Sequence, residues 1–153
     1  MKIRIKVFTL SIALVIGTLG YRGMPLGFAQ DRKAVNLSEA KGLPFSDGII
    51  AGNTLYIAGQ QGRDGSGTLP SGIGSETQLT LEAIAKVVKA AGFELKDIVA
   101  VNVYLTDIND FAEMNKVYRV FLPDPKPTRT TVQVSGLVAK AHIEISAIAV
   151  KQR

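Results

Sequence analysis

Cysteine is absent from the 153 residues, and histidine occurs once, as His142. Without thiols no disulfide can brace the fold in any compartment, so a hydrophobic core must hold it together. One imidazole and no thiolate also argue against a transition-metal site built from protein ligands. The sequence lacks a phosphate-binding loop as well. Its glycine-rich stretch, "GRDGSGTLPSGIGSE", matches neither G-x-G-x-x-G after a strand nor the P-loop spacing. Internal repeats are missing, and low-complexity segments are missing beyond the first thirty residues. No apolar run reaches the roughly 20 residues of a bilayer-spanning helix; the longest, Val7 to Leu19, has about 13.

That short run belongs to a recognisable layout. Lys2, Arg4 and Lys6 precede it, and small-residue chemistry around Ala29 follows it. Basic, apolar, then cleavable is the order of a secretory signal peptide. Residues 1–29 are therefore expected to be a leader and residues 30–153 a single domain, which makes the protein periplasmic or secreted. The alternatives are an uncleaved membrane anchor and a misassigned start codon, which would leave the protein cytoplasmic. After removal of the leader no stable membrane span is expected.

The leader also carries most of the excess charge. The chain has 18 basic and 13 acidic residues, a net charge of +5. Four of the basic residues (Lys2, Arg4, Lys6, Arg22) lie in the leader, which leaves fourteen against thirteen in the remainder. A domain near +1 has no electrostatic footprint for nucleic acid. About 124 residues is ample for one ordinary core.

Periodicity gives the order of elements. "SDGIIAGNTLYIAGQQG" reads as a hairpin, with strands Gly48–Ala51 and Thr54–Ala58 around a Gly52-Asn53 turn. Ser75 and Gln78 have capping-box spacing, and Leu79, Ala83, Ile84, Val87, Val88 and Ala91 recur at helical intervals up to Gly92. "DIVAVNVYLT" is a strand apolar enough to be covered on both faces. Asn109 or Asp110 caps a second helix whose buried stripe is Phe111, Met114, Val117, Tyr118 and Phe121. "LPDPKP" ends it. Strands near Arg129–Ser135 and His142–Val150 close the chain. The fold class is α+β, a β-β-α-β-α-β-β mixed sheet with both helices on one face. The other face, expected to carry Val101, Val103, Ile148 and Val150, is too apolar to stay in water, which implies cover from another copy of the chain.

Three stretches carry a resemblance: "AAGFELKDIVAVNVYLTDINDFAEMNKVYRVF", "PTRTTVQVSGL" and "IEISAIAV", with "AGQ" at 58–60. Together they resemble the Rid family of reactive intermediate deaminases, earlier named translation inhibitors or endoribonucleases, from about Phe45 to Val150. The resemblance implies a chorismate-mutase-like fold and a homotrimer with a central barrel and a cleft at each subunit interface. It implies hydrolysis of 2-imino acids or their enamine tautomers to 2-oxo acids and ammonia, with no cofactor and no metal. Arg129 falls at the family's substrate-binding arginine, Glu144 at its acidic residue, Asn115 at its helix asparagine and Gly59 at its strand-end glycine. The Gly59 carbonyl is implied to hold the water, and the Thr131 N–H the substrate.

The chemistry suits the pair. A guanidinium fork grips a carboxylate in two places and so aims the neighbouring imine carbon. A carboxylate within reach of a water can take its proton and later return it, worth about 10²–10⁴-fold. Other readings remain open. Arg129 and Glu144 could pair across adjacent strands as a plain salt bridge. Asn115 could be a solvated helix residue, and His142 reads as a strand-edge residue rather than a catalyst. The chain also departs from the family pattern. Phe45 stands where many active members have tyrosine, which removes a hydroxyl from the substrate-binding set. Thr131 replaces a cysteine, Ala58 a serine or threonine, and Ser146 a second glutamate; the loop before Arg129 is short. A cleft that binds a small carboxylate without turnover is the alternative function. A ribonuclease is a weaker one, since a lone histidine cannot supply a two-histidine acid/base pair.

Overall fold

The computed structural model describes residues 31–37 and 42–151. The expected leader, residues 1–29, lies outside them. Six strands form one sheet: β1 (Arg32–Val35), β2 (Gly48–Ala51), β3 (Thr54–Gln60), β4 (Ile98–Leu105), β5 (Thr128–Gln133) and β6 (Ile143–Val150). Two helices, α1 (Ile73–Ala90) and α2 (Phe111–Phe121), pack on the same face and against each other. The spatial order is β1-β2-β3-β6-β4-β5, antiparallel except for the β4–β5 pair. Strand β1 is an addition to the expected order; its four residues carry no apolar alternation that would mark them as sheet.

The hairpin turns where expected, with Gly52 at φ 62° and Ala51 opposite Thr54. A β-branched or bulky residue would be strained there. Helix α1 stops at Gly92, whose φ of 75° lets its N–H reach Lys89 O while Phe93 N–H reaches Val88 O. Those two bonds satisfy carbonyls that the helix end would leave open.

The start signals fare differently. Helix α1 begins at Ile73 with Gly72 as its cap and no side-chain capping bond, so the Ser75–Gln78 box is not formed. Instead Thr77 and Thr80 turn inward, and each hydroxyl donates to the carbonyl four residues back, Ile73 O and Glu76 O. That self-satisfaction lets two polar side chains be buried beside Leu81, Ile84, Val87 and Val88. Leu79 and Ala83 are only half-buried. Before α2, Asp107 does the capping, accepting from Asn109 N–H at the head of a 3₁₀ turn, Ile108–Asp110; Asp110 makes no capping bond.

Alternation along the inner strands sorts the two sheet faces. Ile143, Ile145, Ala147 and Ala149 of β6 are buried under the helices, and Glu144, Ser146, Ile148 and Val150 face the other way. Val101 and Val103 lie on the helix-covered face, 3% and 0% exposed. This corrects the expectation that they belong to the open face. The open face is instead a polar strip, Asn102, Tyr104, Glu144 and Ser146, beside apolar Ile49, Tyr56, Ile148 and Val150. No helix among the described residues is long and apolar enough to cross a membrane.

Candidate active site

Strand β5 is the sheet's edge, and its most buried residues are Arg129 and Thr131. Arg129 sits opposite Val101 and Thr131 opposite Val103, which puts both side chains on the helix face, toward α2. There α2 receives the guanidinium on residues one and two turns apart. Asn115 Oδ1 accepts from Arg129 Nη1 at 2.8 Å. The guanidinium carbon lies 4.5 Å from the Tyr118 ring centroid and 5.4 Å from that of Phe111. Positions 111, 115 and 118 share one helix face. Two aromatic faces and one amide oxygen thus fix a cation that has no carboxylate within ion-pair distance among the described residues.

A cavity of about 330 Å³ opens beside it, lined by Asn115, Tyr118, Arg119, Lys126, Pro127 and Arg129. Lys126 is occupied: its ammonium caps the end of α2, donating to Arg119 O and Leu122 O. The Tyr118 hydroxyl and Thr131 Oγ1 are buried without hydrogen-bond partners. Burial pushes the Tyr118 phenol above its ordinary pKa, and the nearby Arg129 charge opposes that shift.

Glu144 occupies a different place. It stands opposite Tyr104 on the open face, and β4 runs between β6 and β5. Arg129 and Glu144 are therefore neither on adjacent strands nor on the same side of the sheet, and the simple cross-strand salt bridge is ruled out. Glu144 lies against Gly59, where a Cβ would run into the carboxylate, 2.7 Å from Cδ. Its Oε2 accepts from Gln61 Nε2 at 2.9 Å. Ser146, next along the same face, accepts weakly from Asn102 Nδ2 at 3.4 Å.

The expected site residues thus fall into two half-sites. Arg129, Asn115 and Thr131 form one on the helix face; Glu144 and Gly59 form the other on the open face. Phe45 joins neither through a described contact and is 54% exposed, in the segment leading into β2. His142 is no free edge residue. Its Nδ1 lies 2.8 Å from Glu76 Oε2, and Glu76 Oε1 accepts from the backbone N–H groups of His142 and Ile143. Sequence reading assigned Phe111 and Tyr118 to core alone and passed over Gln61. The 111/115/118 spacing around the asparagine was the available signal for the first two.

Residues 38–151 match the family described as Endoribonuclease L-PSP. The chain belongs to this family. It is 46% identical over 111 residues to a RutC family protein of Pyrococcus horikoshii, covering 71% of this chain and 88% of that protein. It is 37% identical over 124 residues to the 2-iminobutanoate/2-iminopropanoate deaminase of Bos taurus, covering 78% and 90%. Among solved structures, RidA from an Antarctic Psychrobacter matches with a TM-score of 0.73 at 34% identity, covering 78% of this chain and all of that one. E. coli TdcF with bound serine matches with the same TM-score and identity, covering 78% and 99%. The fold reading from periodicity and the family resemblance are both borne out.

Proposed function

We propose that the protein is a hydrolytic deaminase converting 2-imino acids and their enamine tautomers to 2-oxo acids and ammonia. The observation that carries this reading is Arg129: a guanidinium held rigid by Asn115, Tyr118 and Phe111, facing a cavity, and left without an acidic partner among the described residues. Such a cation is arranged to receive an anion from outside the chain. Family relatives named 2-iminobutanoate/2-iminopropanoate deaminase point to which anion, and the relative with bound serine is a protein of this fold that takes an amino acid.

Because Glu144 is on the opposite sheet face, one chain cannot supply both groups to one substrate. The reading therefore needs assembly: Glu144 of one copy brought to Arg129 of the next, within the homotrimer. A half-apolar open face supports such burial. In the assembled cleft Arg129 binds the substrate carboxylate. Glu144 takes a proton from water as its oxygen bonds to the imine carbon, then returns that proton to nitrogen. The resulting carbinolamine then gives up its hydroxyl proton to Glu144, which delivers it to the same nitrogen as the C–N bond breaks, so that ammonia leaves and the carbonyl forms. The Gly59 carbonyl and Thr131 N–H are assigned to water and substrate, and Phe45 contributes ring surface without a hydroxyl. The ribonuclease reading finds no support in a domain near +1 whose lone histidine is tied to Glu76. We further assign residues 1–29 to export, to be checked by cell fractionation and N-terminal mass spectrometry.

The test is oxo-acid and ammonia release from imines generated in situ by an amino-acid oxidase. Acceleration by the domain, abolished by Arg129→Ala, is expected. Stabilisation by 2-oxo acids with no acceleration would establish the binding module instead, and a normal rate in Arg129→Ala would remove Arg129 from the mechanism.

A further inference from the structure

Gln61 has no part in the scheme above, yet it makes the only side-chain hydrogen bond to Glu144 among the described residues, Nε2 to Oε2 at 2.9 Å. Two features of β3 bring it there. Pairing with β6 runs Ile57 opposite Ala147 and resumes at Gln60 opposite Ile145, so three steps on β3 span two on β6. One extra residue makes a bulge, and a bulge re-aims everything after it. Gln60 then pairs with Ile145, and Gln61, the residue that follows β3, reaches Glu144 through its side chain. An unbulged strand would put Gln60 opposite Glu144 and leave Gln61 one step beyond it. Gly59, inside the bulge, supplies the second feature: its missing Cβ makes room for Glu144, with Oε1 the nearest atom.

We infer that Gln61 is a positioning residue for the general base, an inference that rests on the deaminase reading. A glutamate side chain has three rotatable bonds, and proton transfer needs one carboxylate oxygen aimed at the water. Donation from Gln61 engages Oε2 and fixes the plane of the group. Oε1, over Gly59, is left as the oxygen that takes and returns the proton. An amide does this without bringing a second charge to the site or titrating near neutral pH.

Two variants test it in the imine-hydrolysis assay. Gln61→Met keeps the length and loses the donor. It is expected to lower kcat about tenfold, the worth of one hydrogen bond to a charged group, with KM nearly unchanged because the grip of Arg129 is untouched. Gln61→Glu sets a second carboxylate against the first, and two such groups compete for one proton. The acid limb of its kcat/KM profile is expected to move to higher pH, a change that damage to the fold does not produce. Should Gln61→Met fail to fold, the Gln61→Glu profile decides alone. Wild-type kcat in Gln61→Met together with an unmoved acid limb in Gln61→Glu would overturn the inference. A wild type inactive on imines retires the deaminase reading and this role with it, whereas an active wild type with unaffected variants retires this role only.

Discussion

Arg129 and Glu144 stand on opposite faces of one sheet, with strand β4 between the strands that bear them. In one chain they cannot grip the same small molecule, and each is held by its own set of neighbours. Half-sites of this kind make separable predictions.

Gly59→Ala tests the Glu144 half. The added methyl would collide with the carboxylate, whose Cδ would be 2.7 Å away. A side chain can swing where backbone cannot, so the cost to stability should be modest, about 1 kcal/mol, within the range for overpacking. The cost to turnover should be larger, since Glu144 must leave its position against Gly59. Denaturant melts and steady-state rates on the same preparation check both.

Tyr118→Phe tests the Arg129 half. The ring face that carries the guanidinium is kept, and a buried hydroxyl without a partner is removed. Stability at neutral pH should be unchanged or higher, by about 1 kcal/mol at most. The sign of the pH effect follows from the raised phenol pKa. The native state holds the proton more tightly than the unfolded chain, so the stabilisation is complete below pH 10 and is lost as pH rises through the native pKa. Wild type should therefore lose stability on alkaline titration faster than Tyr118→Phe does. Parallel titrations of the two would contradict the buried-phenol assignment.

Glu76 is 1% exposed and accepts from two backbone N–H groups and the His142 ring at the start of the strand that bears Glu144. Glu76→Leu would leave those backbone donors without an acceptor, at a cost of about 2–4 kcal/mol. Glu76→Gln retains one acceptor oxygen and should lose about half as much. Chemical denaturation of the three proteins orders them; equal stability of wild type and Glu76→Leu would show that the contact is idle.

Much of the architecture was legible because it depends on local periodicity. The hairpin, both helices, the Gly92 stop and the β4 and β6 runs follow from spacing alone. The capping box was misplaced because several polar residues near the start of α1 could cap, and Thr77 and Thr80 turned inward instead; Asp110 does hold the N-cap position of α2, but without a side-chain bond, and Asp107 caps the 3₁₀ turn before it. Strand β1 carried no pattern to read. Face assignment failed for Val101 and Val103 because an almost wholly apolar strand gives no phase. The resemblance named Asn115, Arg129, Thr131, Gly59 and Glu144 as a single set; the structure places the first three on the helix face and the last two together on the open face. Their separation by sheet face depends on strand order, and fifteen residues of spacing say nothing about that. Gln61 was illegible for a similar reason, since a bulge shifts the register by one residue and no local signal marks it.

The central claim is that one catalytic centre takes its arginine from one chain and its glutamate from another. Co-expressing Arg129→Ala chains with Glu144→Gln chains tests it most directly. Each variant alone should be inactive. In randomly mixed trimers about one quarter of the sites receive an intact member from each parent, so about a quarter of wild-type imine hydrolysis should return. Mixed assemblies confirmed by mass spectrometry that stay as inactive as the parents would contradict the account.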